Sequence, residues 1–168
     1  MLTIRKACAD DYERIMEIYR YAQDFMIATG NPTQWGHFNP TPGMIQEDIS
    51  LNRCHAVCDE SGIHGVFALF SGEEPTYTYI ENGSWLNDKP YMTIHRMAGD
   101  GQVSGIFRFS VDYVRTLTDN IRIDTHKNNH VMQSLAEKNG FTKCGIIYLR
   151  NGSPRIAYHW VSQGTVLR

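Results

Sequence analysis

Apolar and polar residues alternate from Leu2 to Ala7, a period of two that predicts a first strand. The period then changes. Tyr12, Ile15, Met16, Tyr19, Ala22 and Met26 recur at helical spacing, Asp10 and Glu13 stand at capping-box distance, and Gly30 closes the stretch. Residues 31–43 are rich in Pro and Gly and predict a loop, yet they carry Trp35 and Phe38. Aromatics in such a loop either pack back on the core or line a ligand cleft. A short second helix is predicted over 41–51, and two strands, 54–59 and 64–71, flank the turn Glu60-Ser61-Gly62. The segment 72–90 shows no clean period. Tyr77, Tyr79, Ile80 and Trp85 stand there among turn residues, which suggests a strand with a covering loop. At the far end, 142–150 and 154–161 predict a hairpin around Asn151-Gly152.

Between these parts lies the stretch that organises the chain, residues 91–141. A strand over 91–98 runs into Gly99 to Gly105, a loop with three glycines in seven residues. A helix follows with Phe107, Val111, Val114 and Thr118 at helical spacing, then an alternating strand over 120–125. A last helix opens on Asn128 and Asn129 and closes on Asn139-Gly140-Phe141. A strand feeding a glycine loop feeding a helix is an anion site. Glycines let backbone N–H groups converge, and the helix N-terminus adds partial positive charge. The order of elements predicts one domain over 1–168, an α/β fold whose mixed sheet carries helices on both faces.

Composition narrows the reading. A net charge of −2 leaves no basic surface for nucleic acid. No apolar run reaches the ~18 residues needed to span a bilayer, so no membrane partner is expected, and the N-terminus lacks a signal-peptide core. A cytoplasmic setting then keeps Cys8, Cys54, Cys58 and Cys144 as reduced thiols, used as small hydrophobes. Cys54, His55 and Cys58 have no second close-set pair to complete a zinc site. His126 and His130 are four apart, but the helix start at Asn128 and Asn129 falls between them, so no metal is expected there either.

The central stretch resembles the acyl-CoA-binding core of the GNAT superfamily of N-acetyltransferases. That family's phosphate loop reads Q/R-x-x-G-x-G/A, and Gln102-Val103-Ser104-Gly105-Ile106-Phe107 fills every position but the last. Asn129 and Gly140-Phe141 match the family's last helix. The resemblance implies a GNAT-type mixed central β-sheet whose fourth and fifth strands splay apart. It implies acetyl-CoA as co-substrate, with its pyrophosphate on the backbone of Gln102, Val103, Ser104, Gly105, Ile106 and Phe107. It also implies a thioester carbonyl polarised near Met97 or Ala98, a pantetheine contact at Asn129, and Arg108, Lys127 and Lys143 as candidates for the 3′-phosphate.

Two departures matter. Phe107 replaces a small residue, and Ala136 stands where many members place a tyrosine to protonate the leaving thiolate. The catalytic candidates are His95 on the fourth strand and Tyr148 in the terminal hairpin, with Asp124 and His126 as local substitutes. A free imidazole, with a pKa of ~6.5, is suited to take a proton from an amine. The leading expectation is an N-acetyltransferase moving an acetyl group directly to a primary amine of a small molecule or a peptide amino terminus. A CoA-binding module without turnover, and a fold-level lookalike without a CoA site, remain as alternatives. The acceptor pocket is expected from Trp35, Tyr79, Trp85 and the early helices, with a homodimer left open.

Overall fold

The structure, a computed structural model, describes residues 1–164. One seven-stranded sheet contains β1 (Thr3–Lys6), β2 (Cys54–Asp59), β3 (Gly62–Ser71), β4 (Met92–Gly99), β5 (Asn120–Thr125), β6 (Thr142–Tyr148) and β7 (Pro154–Val161), in the order β1-β2-β3-β4-β5-β7-β6. All neighbours are antiparallel except β4 with β5. Helices α1 (Tyr12–Ala28) and α2 (Pro42–Ser50) lie on one face, and α3 (Ile106–Arg115) and α4 (His130–Lys138) on the other. The expected mixed sheet with two helical layers is what forms.

Strand alternation distributes side chains between two cores. Ala56, Val66 and Ala98 point to Ile15, Ile18, Tyr19 and Ile45 of the first pair of helices. Their neighbours Val57 and Phe67 point to Phe107, Val111 and Val114 of α3, with Phe141 behind. Burial on both faces is why β2 and β3 read as nearly continuous apolar runs.

Two expectations need correction. The first helix is not capped by Asp10. A single 3-10 turn over Ala9–Asp11 precedes it, and the Asp11 carboxylate accepts the Cys8 N–H at 2.8 Å. Arg5 then holds the same carboxylate in a two-pronged pair at 2.7 and 2.8 Å, a tertiary contact that spacing does not show. The segment 72–90 is not a strand. It holds one short turn, Pro75–Tyr77, and a single bridge from Glu81 to Ile146. Prolines at both ends of this stretch withhold ladder donors, and Tyr77 is buried by packing against Trp85 and Tyr91.

The end of β4 is tied down by charge. Asp100, buried just beyond the strand, accepts from Arg14 of α1 at 2.7 Å and from the backbone N–H of Gln102 at 2.9 Å. Its carboxylate also faces His64 Nδ1 of β3 at 2.8 Å, while His64 Nε2 lies 3.1 Å from Asp59. The Asp100 hydrogen bond, reinforced by Asp59, raises the His64 pKa against the opposing effect of burial. A raised histidine pKa contributes stability that is complete below the unfolded value of ~6.5 and is lost as pH rises through the folded value. Denaturant unfolding of the parent should therefore lose stability from pH 6 upward relative to His64→Gln. Parallel pH profiles for the two proteins would contradict this assignment.

Candidate active-site cleft

The cleft exists because β4 and β5 pair for only two residues. Met92 opposes Ile121 and Thr93 opposes Arg122, and beyond Thr93 the two strands share no register. From Ile94 onward the edge of β4 facing β5 therefore has no partner strand among the described residues. On the other edge of β4 the register with β3 slips. Val66 pairs with Ala98 and Ala68 with His95, so Phe67 alone faces Arg96 and Met97. This is a β-bulge in β4, and Arg96 takes a φ of +54° within it.

A left-handed arginine costs of order 1–3 kcal/mol and persists only when its surroundings over-determine it. Here they do. Buried Asp48 of α2 grips the Arg96 guanidinium with two bonds of 2.8 and 2.9 Å, and the Tyr19 hydroxyl donates to the Arg96 carbonyl at 2.8 Å. The resulting cleft measures about 570 Å³. Ile94 to Met97 line one wall, and Ile123 to Thr125 with Asn129 line the other. Met97 borders the cleft, whereas Ala98 is buried behind it.

The glycine loop lies at the head of α3. Gly105 is its N-cap in the left-handed conformation (φ +79°), and a Cβ there would meet open space. Gly101 is also left-handed, and a Cβ on it would come within 2.1 Å of the Tyr21 hydroxyl. Asp100 fixes the loop entrance through the Gln102 N–H. Among the described residues, no acceptor meets the N–H groups of Val103 to Arg108. Six consecutive donors are thus presented at the positive end of a helix, ready for an anion. Phe107 takes no space from this cradle. Its ring is buried against Phe141 at 6.3 Å, with part of it on the cleft wall. Arg108, exposed on the next turn, leans toward Asp112 at 3.7 Å.

Of the proton-handling candidates, His95 lines the cleft. Its Nε2 lies 3.1 Å from the Glu74 carboxylate, which also lines it. The hydrogen bond from His95 brings the Glu74 carboxyl down to about 2, so it stays ionised at any pH of interest. Asp124 shares the cleft and accepts from the Tyr77 hydroxyl at 2.7 Å. Tyr148 is not brought there. It stands at the surface with its hydroxyl on Glu81, which raises its pKa. His126 is buried behind the β5 terminus, where its Nδ1 accepts the Asn128 N–H at 3.0 Å, and burial lowers its pKa. Ala136 is wholly buried in the core.

The loop between α1 and α2 closes the cleft from above. Asn129 caps α4 by accepting the Met132 N–H at 3.0 Å, and its amide donates to Gln34 at 3.1 Å. Trp35 packs edge-on against Tyr19 and borders the cleft. The other two aromatics expected in an acceptor pocket are elsewhere. Tyr79 is exposed, and Trp85 lies between Tyr77, His159 and Arg122 on a separate hollow. Among the described residues, no three histidine, cysteine or acidic side chains gather as a metal site.

Glu74, Asp100, Asp48 and Gln34 escaped the sequence reading. Each is a lone polar residue whose partner is distant in sequence, 21 positions for Glu74–His95 and 95 for Gln34–Asn129. No local pattern announces such a pair.

No family model matches the chain, and no curated protein matches it by sequence. Solved structures do. A GNAT-family acetyltransferase from Streptococcus agalactiae is 27% identical, superposes with a TM-score of 0.85, and aligns over 96% of both chains. A GNAT-family acetyltransferase from Listeria monocytogenes, 19% identical, gives 0.69 over 96% of this chain and 95% of its own. The Salmonella typhimurium protein yncA, solved with acetyl-CoA, gives 0.62 at 13% identity over 95% and 93%. A sheet that opens between two parallel strands, with a glycine loop at the head of the helix that joins them, defines a GNAT-type fold. The chain has the fold of the GNAT superfamily.

The Asp48–Arg96 pair makes the bulge testable. Removing one partner of a buried ion pair costs about 3–5 kcal/mol, because the other charge is left uncompensated. Asp48→Ala should lose about that much in urea unfolding. A loss below about 1 kcal/mol would show that the bulge stands without the pair.

Proposed function

We propose that the protein transfers an acetyl group from acetyl-CoA to a primary amine, of a small molecule or a peptide amino terminus. The observation that carries this reading is the run of N–H donors from Val103 to Arg108 that find no acceptor among the described residues, beside a cleft in which the Glu74 carboxylate is hydrogen-bonded to His95. The donor run fits a pyrophosphate, and Gly105 leaves room for it. Acetyl-CoA supplies an activated acyl group on a thiolate leaving group. In the transfer, the amine nitrogen attacks the thioester carbonyl carbon, a C–N bond forms, and the C–S bond breaks with its electron pair going to sulfur.

The chain's own groups handle position and protons. The unpaired edge of β4 around the bulge offers backbone N–H groups to the carbonyl oxygen, where negative charge develops. Glu74 accepts from His95 Nε2, so Nδ1 holds the lone pair and takes the proton the amine must lose. Asn129 retains one amide hydrogen beyond its bond to Gln34, available to a pantetheine carbonyl. With Ala136 in place of a tyrosine, the thiolate leaves unassisted, which a thiol pKa of ~8.5 permits.

Two substitutions test the parts separately. Gly105→Glu sets a carboxylate against the phosphates and should abolish acetyl-CoA binding in calorimetry, while Gly105→Ala, sharing the backbone strain, should retain it. Equal affinity in both would move the cofactor elsewhere. His95→Gln keeps a hydrogen-bonding group but cannot titrate. Its kcat/KM should fall at least about tenfold, and by up to the roughly 10²–10⁴-fold that acid–base assistance is usually worth. The acidic limb of the parent's rate profile, where a protonated imidazole cannot accept a proton, should flatten. A variant with the parent's rate and limb would make His95 a structural histidine.

A further inference from the structure

Beyond the loop before α3, the cleft contains a cation with no ion-pair partner among the described residues. Arg155 begins β7, close to the Leu149–Ser153 turn, and is 94% buried yet lines the cleft. Its Nη1 donates to the Ser153 hydroxyl at 2.6 Å and to the Pro154 carbonyl at 2.9 Å. Among the described residues, Nε and Nη2 meet no acceptor and no carboxylate lies within 4.0 Å of the guanidinium. Arginine stays charged in proteins, and these two nitrogens are not closed off in the core, so they remain open to a ligand in the cleft. Of the half-buried arginines on the same cleft, Arg96 is paired with Asp48 and Arg53 lies over the Phe70 ring at 4.6 Å. Arg122, as buried as Arg155, lies instead between the rings of Trp85 and Tyr91, at 4.2 and 4.0 Å. Arg155 has neither compensation. Burial lowers its pKa, and the charge of nearby Asp124 offsets this only in part.

The cofactor is not the missing anion. All the charge of a CoA thioester resides on its phosphates, and the donors suited to them belong to the loop before α3. Gln102 to Gly105 do not border the cleft. Only the neutral acyl end reaches the space where Arg155 stands, so an anion there belongs to the acceptor. Asp124 lines the same wall, one strand over, near enough for its charge to act on Arg155 but not bonded to it. An acid and a base that share a cleft without closing on each other fit a zwitterion between them.

Resting on the acetyl-transfer reading above, we infer that the acceptor is amino-acid-like: a carboxylate held by Arg155, and an amino group directed toward Asp124 and the Glu74–His95 pair. Arg150, exposed on the rim of the same cleft, adds positive charge along the approach. Arg155 is thus a specificity residue. It does not touch the bond that breaks.

The test uses matched compounds: each of the common α-amino acids, its carboxamide, and the amine left when the carboxylate is removed. In thiol-release assays with acetyl-CoA, the preferred amino acid should exceed both partners in kcat/KM by at least about tenfold, as expected for a charged hydrogen bond. Arg155→Gln should reduce that preference to within about twofold, chiefly through KM, and Arg155→Lys should restore part of it. The same panel is read by thermal shift on the CoA-bound protein, which needs no turnover: a carboxylate-dependent rise in Tm should appear in the parent and vanish in Arg155→Gln. Amides or decarboxylated amines that serve as well as the acids, a preference unchanged in Arg155→Gln, or no carboxylate-dependent shift across the panel would each overturn the inference. Failure of the acetyl-transfer reading itself would show separately, as the absence of any Tm rise with acetyl-CoA alone. Retention of that rise in Arg155→Gln verifies that the variant is folded.

Discussion

The molecule depends on a place where two strands decline to pair. β4 and β5 are held together at Met92 and Thr93 and then part. In an ordinary sheet the exposed edge of β4 would be a row of unmet hydrogen-bonding groups, which is costly when buried and hazardous when free. Here the edge becomes a wall of the cleft, and the bulge at Arg96 turns the strand as it leaves its partner. The ion pair with Asp48 secures that turn from α2, and Tyr19 secures it from α1. The first two helices therefore do more than cover the sheet. They hold β4 in a shape it would not keep alone.

The same logic extends along the strand to the loop. Asp100 stands where β4 ends and collects Arg14 from α1, His64 from β3 and the first N–H of the loop. Its three partners come from three elements, so the loop is positioned by the whole first half of the chain. The donors beyond it, Val103 to Arg108, meet no acceptor among the described residues. A buried acid satisfied on all sides and a row of donors satisfied on none lie next to each other. That contrast separates the structural part of the loop from the binding part.

Much of this was legible in the sequence, and the reason is local. Elements whose faces repeat with a clear period, such as 120–125 and the stripe from Ile15 to Ala22, form where the pattern puts them. Asn129 as a cap and Gly105 at the helix entrance are likewise written in adjacent residues. What the sequence could not show is contact across distance. Asp10 has the better capping spacing, but Arg5 selects Asp11. Trp85 and Tyr79 look like pocket aromatics by composition, yet the stretch that carries them folds over β6 and away from the cleft. Glu74 looks like any acidic residue in a turn until His95 is seen 3.1 Å away.

The central claim is that the unmet donors at the head of α3 and the open edge of β4 receive one ligand, acetyl-CoA, laid between β4 and β5. Amide hydrogen exchange with and without acetyl-CoA reads those groups directly. Saturating cofactor should slow exchange in two segments, residues 103–108 and 94–98, and leave the far-edge pair β1–β2 nearly unchanged. Protection confined to other parts of the chain, or no protection in either segment at saturating cofactor, would contradict it.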